Sequence, residues 1–189
     1  QMCIRDRYYA IAKIAGLKLC QAYRKQYNFD AISLMPTNLY GPRDNYHPYD
    51  SHVMASLIRK FHNAKINHLN DVTCWGTGKP LREFLYVEDF AEACLFLLKK
   101  WDLKSEYLPK DINGNKLNWI NVGSDFEISI RDLAEKISKI VGFSGEIIWD
   151  RTKPDGTPRK KLDNSCIKNI GWKPTTDLDL SLIHISEPT

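Results

Sequence analysis

The sequence predicts an α/β protein with a mostly parallel sheet. Amphipathic helical segments alternate with short apolar segments along the chain, and this order is typical of strand–helix–strand units. The composition agrees, because 43% of the 189 residues are hydrophobic and 26% are charged, as in a packed globular protein.

A long helix and a buried strand come first. Apolar residues recur at helical spacing over residues 8–27, which predicts an amphipathic helix. The members of this stripe are Tyr8, Ile11, Ala12, Ala15, Leu19, Ala22 and Tyr23. The apolar run Ala31–Met35 then predicts a strand that Pro36 ends. Residues 37–50 contain glycine and several prolines, and therefore predict a loop.

The middle of the chain predicts a helix, two strands and a second helix. Their expected bounds are residues 51–64, 71–75, 84–87 and 88–100, with a turn at 76–80 between the strands. The residues expected to be buried are Met54, Leu57, Ile58 and Phe61 in the first helix and Ala91, Cys94, Leu95 and Leu98 in the second. Acidic residues open the second helix and lysines close it, which complements the helix dipole.

The last third repeats the alternation after a polar loop over residues 101–117. The predicted elements are a strand at 119–122, a helix from Ser129 to Gly142, a strand at 146–149, a loop at 153–161 and a short helix at 163–170. Ser129 and Asp132 form an S-x-x-D helix-capping signature. The two ends, QMCIRDR and SLIHISEPT, resemble translated adapter remnants, so residues 1–7 and 181–189 are expected to be non-native.

Several functional classes are disfavoured by composition. The net charge of +4 comes without a dense Lys/Arg run interleaved with aromatics, so we expect no nucleic-acid partner. No apolar run approaches the roughly 20 residues that span a bilayer, so we expect no membrane association. The five cysteines lack both disulfide-framework and zinc-ligand spacing, which predicts reduced thiols, a cytoplasmic location and no metal site.

The first candidate for chemistry is the pair Tyr9 and Lys13. A Y-x-x-x-K spacing on a helix places both side chains on one face, one turn apart. An ammonium near a phenol favours the phenolate, and such a tyrosine can exchange a proton with a carbonyl or an alcohol. Such a pair also occurs by chance in many helices, so its context decides its meaning.

That context is a set of motifs in a fixed order. The segments YAIAKIAGLKL, MPTNLYGPRDN, WGTGKPLREFLYVEDFA and KPDGTPRKKLD together resemble the GDP-L-fucose synthase family, which belongs to the extended short-chain dehydrogenase/reductases. The resemblance runs from about Tyr8 to Leu180. It implies the C-terminal part of a doubly wound, Rossmann-type parallel sheet (8–50 and 84–122) and a smaller α/β substrate-binding domain (51–83 and 123–180). No G-x-G-x-x-G cluster occurs, so the family's phosphate-binding half is expected upstream.

The resemblance assigns catalytic and cofactor roles. Tyr9 would donate a proton to the C4 ketone of the sugar, and Lys13 would hold the nicotinamide ribose of NADP(H). His52 would be an acid in epimerisation at C3 and C5, although a lone His there is more often a capping or surface residue. The residues expected at the cofactor are Lys13, Pro36, Thr37, Asn38, Leu39 and His52. The family's partner base is a cysteine that none of the five cysteines here matches.

The resemblance also implies four contacts to a GDP-sugar. They are Lys60, Trp75, Arg82 and Asp155. Cations at 60 and 82 suit a diphosphate, although the family more often has arginine at the position of Lys60. Without the resemblance, Trp75 would be assigned to the core and Asp155 to a Pro-Asp-Gly turn.

The implied function is 3,5-epimerisation and NADPH-dependent 4-reduction of GDP-4-keto-6-deoxy-D-mannose, by a protein that is usually a homodimer. Two alternatives stay open: another extended nucleotide-sugar epimerase or dehydratase, and a catalytically silent sugar-nucleotide-binding homologue. On either enzymatic hypothesis this chain alone is expected to be inactive.

Overall fold

A computed structural model describes residues 2–101 and 109–186 and confirms the α/β class. The helices are α1 (Met2–Tyr27), α2 (Val53–Ile66), α3 (Val87–Lys100), α4 (Ile130–Val141), α5 (Ser165–Ile170) and α6 (Leu178–Ser186). The strands are β1 (Ser33–Pro36), β2 (Asn38–Tyr40), β3 (Asp71–Trp75), β4 (Leu81–Tyr86), β5 (Trp119–Val122), β6 (Glu127–Ser129), β7 (Glu146–Asp150) and β8 (Arg159–Lys160). None of the described helices combines the length and apolar character that a bilayer crossing requires.

The strands pair mostly in parallel, as predicted. β1 lies beside β5, β2 beside β4, and β3 beside β7, each in parallel register. The strand β4 joins β2 to β6 and β8, because its second half pairs with β2 and its first half pairs with antiparallel β6 and parallel β8. Parallel pairs need crossover connections, which the helices between the strands supply.

Two hydrophobic clusters form the core. The larger one packs α2 against α4 and includes Phe61, Leu133 and Ile137, which are at most 1% exposed. The smaller one joins α3 to β5 through Leu97 and Ile120, both fully buried. The buried face predicted for α2 is confirmed, since Met54, Leu57, Ile58 and Phe61 all belong to the larger cluster.

The apolar stripe of α1 is exposed in this chain. The helix exists and its backbone begins at Met2, but Tyr8 is 76% exposed and Leu19 is 58% exposed. α1 instead contacts the rest of the chain through Gln21, which donates to Asn118 Oδ1 at 2.9 Å, and through Arg24, which pairs with an aspartate after the helix. Helical spacing shows that an apolar stripe exists, but not which distant segment covers it.

The helix α3 shows the same difference. Leu95 and Leu98, expected inside, are 58% and 74% exposed, whereas Asp89, Ala93 and Leu97 are buried. An aspartate inside was not expected because a charged side chain is rarely buried without partners.

Asp89 has those partners in a distant segment. Its carboxyl oxygens accept hydrogen bonds from the backbone and hydroxyl groups of Thr175 (3.2 and 3.0 Å) and of Thr176 (3.1 and 3.0 Å). This contact ties the first turn of α3 to the segment before α6. In α6, Ser181 and Leu182 are buried and Ser181 Oγ lies 2.5 Å from Tyr40 Oη. The non-native status expected for 181–189 stays a prediction.

Two short strands lie in segments that were expected to be loops. β2 falls within residues 37–50 and β8 within 153–161, and both pair with β4. β4 itself begins at Leu81 rather than at Phe84. A strand of two or three residues carries too little periodicity to be detected in the sequence, because distant pairing defines it.

The capping prediction for α4 is confirmed. Ser129 Oγ accepts a hydrogen bond from the Asp132 amide at 3.0 Å, and Gly142 ends the helix in the left-handed conformation. Both signals are local, and this explains why the sequence was sufficient here.

Candidate functional site

A cleft of about 210 Å³ lies at the joining strand β4 and brings together three of the four predicted substrate contacts. Its lining residues are Val53, Trp75, Gly78, Pro80, Arg82, Ile130, Pro154, Asp155 and Gly156. Trp75 ends β3, Arg82 lies on β4, and Asp155 lies in the loop between β7 and β8. The cleft is therefore assembled from segments that are far apart in sequence.

Asp155 is held in place by the turn after β3. Its carboxyl oxygens accept hydrogen bonds from the Thr77 amide at 2.8 Å and the Thr77 hydroxyl at 2.7 Å. These bonds hold the pKa of the Asp155 carboxyl below its ordinary value. Gly76 permits this approach, because it has φ +78° and a Cβ there would lie 2.2 Å from Asp155 Oδ1. An oriented acceptor thus faces the cleft.

Arg82 is anchored through one of its terminal nitrogens. Nη1 donates to the Leu81 carbonyl at 2.7 Å and to the Thr157 carbonyl at 2.6 Å. Burial lowers the pKa of its guanidinium from the ordinary value, but a guanidinium remains charged at neutral pH. The arginine therefore places a fixed positive charge, with further N–H donors, at the wall of the cleft.

Trp75 lies at the cleft mouth and is 67% exposed. The Lys60 ammonium is 5.8 Å from its ring centroid, and that of Lys153 is 5.7 Å away. Lys60 Nζ also donates to the Thr73 carbonyl at 2.9 Å, which fixes its position. An exposed aromatic face flanked by two cations suits a planar, negatively charged ligand.

Tyr9 and Lys13 lie on the exposed side of α1. The Lys13 ammonium is 5.3 Å from the centroid of the Tyr9 ring, and Tyr9 is 68% exposed. The helix therefore brings the pair together, as the spacing predicts, on a surface open to solvent.

The predicted cofactor segment forms a corner between two sheets. Pro36 is the last residue of β1 and pairs with Val122, and Asn38 opens β2 and pairs with Phe84. Leu39 is half-buried in β2. This corner is the carboxyl end of a parallel strand where the chain changes partner, and in open α/β sheets ligands bind at such places.

Hydrogen bonds fix the corner. Thr37 donates its amide to the Val122 carbonyl at 3.0 Å and its hydroxyl to the Glu83 carbonyl at 3.1 Å. Asn38 Nδ2 donates to the same Glu83 oxygen at 2.7 Å. Thr37 and Asn38 are thus joined to the residue that follows Arg82 in β4.

His52 is the N-cap residue of α2 and its side chain is exposed. It makes no side-chain capping bond, although its carbonyl accepts the first helical hydrogen bond from Ser56 at 2.8 Å. Its neighbour Val53 lines the cleft. The imidazole therefore does not cap the helix, and the residue that follows it in the chain lines the cleft.

The structure adds three residues that the sequence analysis did not select: Thr77, Lys153 and Glu83. A charged residue within the apolar run of β4 was the available signal for Glu83, whereas Thr77 and Lys153 lie in ordinary polar turns. Within residues 2–101 and 109–186, no three His, Cys, Asp or Glu side chains cluster closely enough to hold a metal ion.

Comparison with known proteins identifies relatives of the chain. A family model described as the NAD dependent epimerase/dehydratase family matches residues 5–113. The chain is 51% identical over 178 residues to the probable GDP-L-fucose synthase 1 of Oryza sativa subsp. japonica, and 53% identical over 173 residues to GDP-L-fucose synthase 1 of Arabidopsis thaliana. These matches cover 94% and 92% of this chain and 50% of each relative, so the chain spans about half their length.

A solved structure shares the fold. The GDP-L-fucose synthetase from Naegleria fowleri bound to NADP has a TM-score of 0.80 and 27% identity, over 94% of this chain and 54% of that one. Together with the parallel strands and the motif order, these matches show that the chain belongs to the NAD dependent epimerase/dehydratase family and has a Rossmann-type α/β fold.

Proposed function

We propose that this chain is the substrate-binding and proton-donating part of a GDP-L-fucose synthase. That enzyme converts GDP-4-keto-6-deoxy-D-mannose into GDP-L-fucose by 3,5-epimerisation and NADPH-dependent 4-reduction. The cleft that joins Trp75, Arg82 and Asp155 carries the proposal, because it combines an aromatic face, a fixed guanidinium and an oriented carboxyl group.

The cleft suits a GDP-sugar chemically. The guanidinium of Arg82 and the ammonium of Lys60 supply positive charge for a diphosphate. The exposed face of Trp75 supplies a surface for a base or sugar ring. Asp155 keeps acceptor capacity for ligand N–H or O–H groups, because each carboxyl oxygen has a second lone pair.

The corner is the proposed site of NADP(H), because it lies at the carboxyl end of a parallel strand. Thr37 and Asn38 are held rigidly at a strand end, and Lys13, Pro36, Leu39 and His52 complete the proposed contacts. When bound, NADPH supplies the hydride for C4. In the proposed domain organisation, residues 8–50 and 84–122 bind the cofactor, and residues 51–83 and 123–180 bind the GDP-sugar.

In the proposed reaction, two side chains of this chain, His52 and Tyr9, donate protons, and Lys13 assists Tyr9. The C4 carbonyl acidifies the C–H bonds at C3 and C5, and His52 returns a proton to each carbon after a base on the opposite face has removed one. Tyr9 then gives its phenolic proton to the C4 oxygen as that carbon is reduced. Lys13 stabilises the phenolate that remains.

A fusion protein tests the proposal. It consists of the N-terminal half of the Arabidopsis thaliana relative followed by this chain, and we call it the fusion. We expect it to oxidise NADPH and form GDP-L-fucose when given GDP-4-keto-6-deoxy-D-mannose. A fusion that folds but turns over only other nucleotide sugars would contradict the proposal.

A variant at His52 tests the epimerisation step. In the fusion, His52→Asn should abolish the deuterium incorporation from D₂O that accompanies inversion at C3 and C5, because no side chain remains to deliver a proton to the face opposite the base. His62→Asn, an exposed histidine in the middle of α2, is the matched control and should incorporate deuterium normally. Unchanged incorporation in His52→Asn would remove His52 from the mechanism.

We further propose a homodimer and a cytoplasmic location for the complete protein. Exposed apolar side chains along α1, among them Ile11, Ile14 and Leu19, support pairing of two copies. Cys20, Cys74, Cys94 and Cys166 form no disulfide among the described residues, which supports a reducing compartment. Light scattering of the fusion and fractionation of the source cells test these two proposals.

A further inference from the structure

The side chain of Glu83 is fully buried in β4, yet the proposed mechanism gives it no role. Its carboxyl group accepts hydrogen bonds from two distant loops. Oε1 accepts from the Asp125 amide at 2.7 Å and from the Asn164 side-chain amide at 3.1 Å, and Oε2 accepts from the Leu162 amide at 3.0 Å. A buried acid with this many backbone and amide donors holds those loops together, because leaving any partner unbonded is costly.

The main chain after β5 is shaped to admit this carboxyl group. A Cβ on Gly123 would lie 2.4 Å from Glu83 Oε1 and 2.7 Å from Asn164 Nδ2. Both distances are too short for real Cβ contacts. Glycine at 123 is therefore required for the carboxyl group to reach its partners.

Glu83 also holds the opposite side of the site through its backbone. Its carbonyl oxygen accepts from Thr37 Oγ1 and Asn38 Nδ2, the two residues of the corner proposed to line NADP(H). Its neighbour Arg82 lies in the substrate cleft and bonds to Thr157 in the loop that also carries Asp155. One residue of β4 thus contacts the corner with its carbonyl and the segment after β8 with its side chain.

We infer that Glu83 is a positioning residue that sets the distance between the cofactor corner and the 155–164 segment. Its carbonyl fixes the corner, and its carboxyl group fixes the end of the segment that begins at Asp155. A sugar held by that segment is thereby placed against a cofactor held by the corner. This inference rests on the proposed function.

Glu83→Gln tests the inference because it preserves shape but replaces one acceptor oxygen with an NH₂ donor. The amide oxygen of Gln can keep the two bonds now made by Oε1, so the NH₂ group must face the Leu162 N–H. In the fusion we expect the Leu162 amide to exchange hydrogen about tenfold faster while the Asp125 amide is unchanged. The affinity for GDP should fall about tenfold, and that for NADPH should stay within about twofold.

Two further variants sharpen the test. Gly123→Ala pushes the carboxyl group away from its partners and should speed exchange at both Asp125 and Leu162. Glu88→Gln changes an exposed glutamate in the same sequence block and should leave exchange and both affinities unchanged.

Two results would overturn the inference. One is wild-type Leu162 exchange and GDP affinity in Glu83→Gln. The other is faster exchange throughout the core with loss of both ligands, which would show a purely structural role. If the wild-type fusion binds GDP and NADPH but does not convert the GDP-keto-sugar, the proposed function fails, whereas Leu162 exchange and GDP affinity still decide the role of Glu83.

Discussion

The variant Arg82→Lys tests the proposed contact to a diphosphate and leaves the other residues of the proposed substrate site unchanged. Arg82 Nη1 is occupied by two carbonyl oxygens, so the ligand must bond to the remaining guanidinium donors. Lysine keeps the positive charge but lacks the planar set of N–H donors of the guanidinium group. Losing one hydrogen bond to a charged group costs about 1.5–3 kcal/mol, which corresponds to a roughly 10- to 100-fold weaker GDP affinity.

The assay is calorimetric titration of the fusion with GDP and, separately, with guanosine. If Arg82 binds the diphosphate, the loss appears with GDP, and the affinity for guanosine is unchanged. Arg24→Lys is the matched control, since Arg24 also donates to a backbone carbonyl but lies on α1, away from the cleft. Equal losses for both ligands, or no loss for GDP, would refute the assignment of Arg82 to the phosphates.

Three other predictions test separate parts of the structure. Trp75→Leu should weaken binding of both GDP and guanosine about tenfold, because aromatic stacking contributes about 1–3 kcal/mol; unchanged titrations would remove Trp75 from the site. Burial raises the pKa of Tyr40 to about 12, above its value of about 10 in the unfolded chain. Its contribution of about 2–3 kcal/mol is therefore complete below about pH 10 and is lost as the pH rises towards 12, and urea unfolding at several pH values should show a flatter alkaline decline in Tyr40→Phe. The 189-residue chain alone should bind NADPH weakly or not at all, and NADPH-dependent turnover by it would contradict this.

Local signals in the sequence were sufficient for much of the fold. The bounds of β3 and β5 and the cap of α4 follow from short apolar runs and one serine, and the structure reproduces them. The exposure of the α1 stripe and the buried face of α3 did not follow, because amphipathic periodicity does not specify the covering partner. Pairing with β4 likewise defined β2 and β8, which no local pattern indicated.

For the candidate site, too, some residues could be predicted from the sequence and others could not. The proposed roles of Trp75, Arg82 and Asp155 came from motif resemblance, and the structure shows that these residues line one cleft. The bonds from Thr77 to Asp155 and from the Glu83 carboxyl group to Asp125 and Asn164 span between 42 and 81 residues along the chain, so the sequence offered no signal for Thr77 and only an isolated charge in an apolar run for Glu83. Such contacts depend on tertiary packing, which a single sequence does not display.

The bonds between Asp89 and the two threonines have a consequence for the order in which the protein can fold during translation. Asp89 is synthesised 86 residues before Thr175, and burying its carboxyl group without donors would be costly. The start of α3 therefore has to stay hydrated on the ribosome until Thr175 and Thr176 have emerged. The packing around the start of α3 is therefore completed only when this late segment is available. A nascent chain stalled before Thr175 keeps the α3 region accessible to chaperones and proteases.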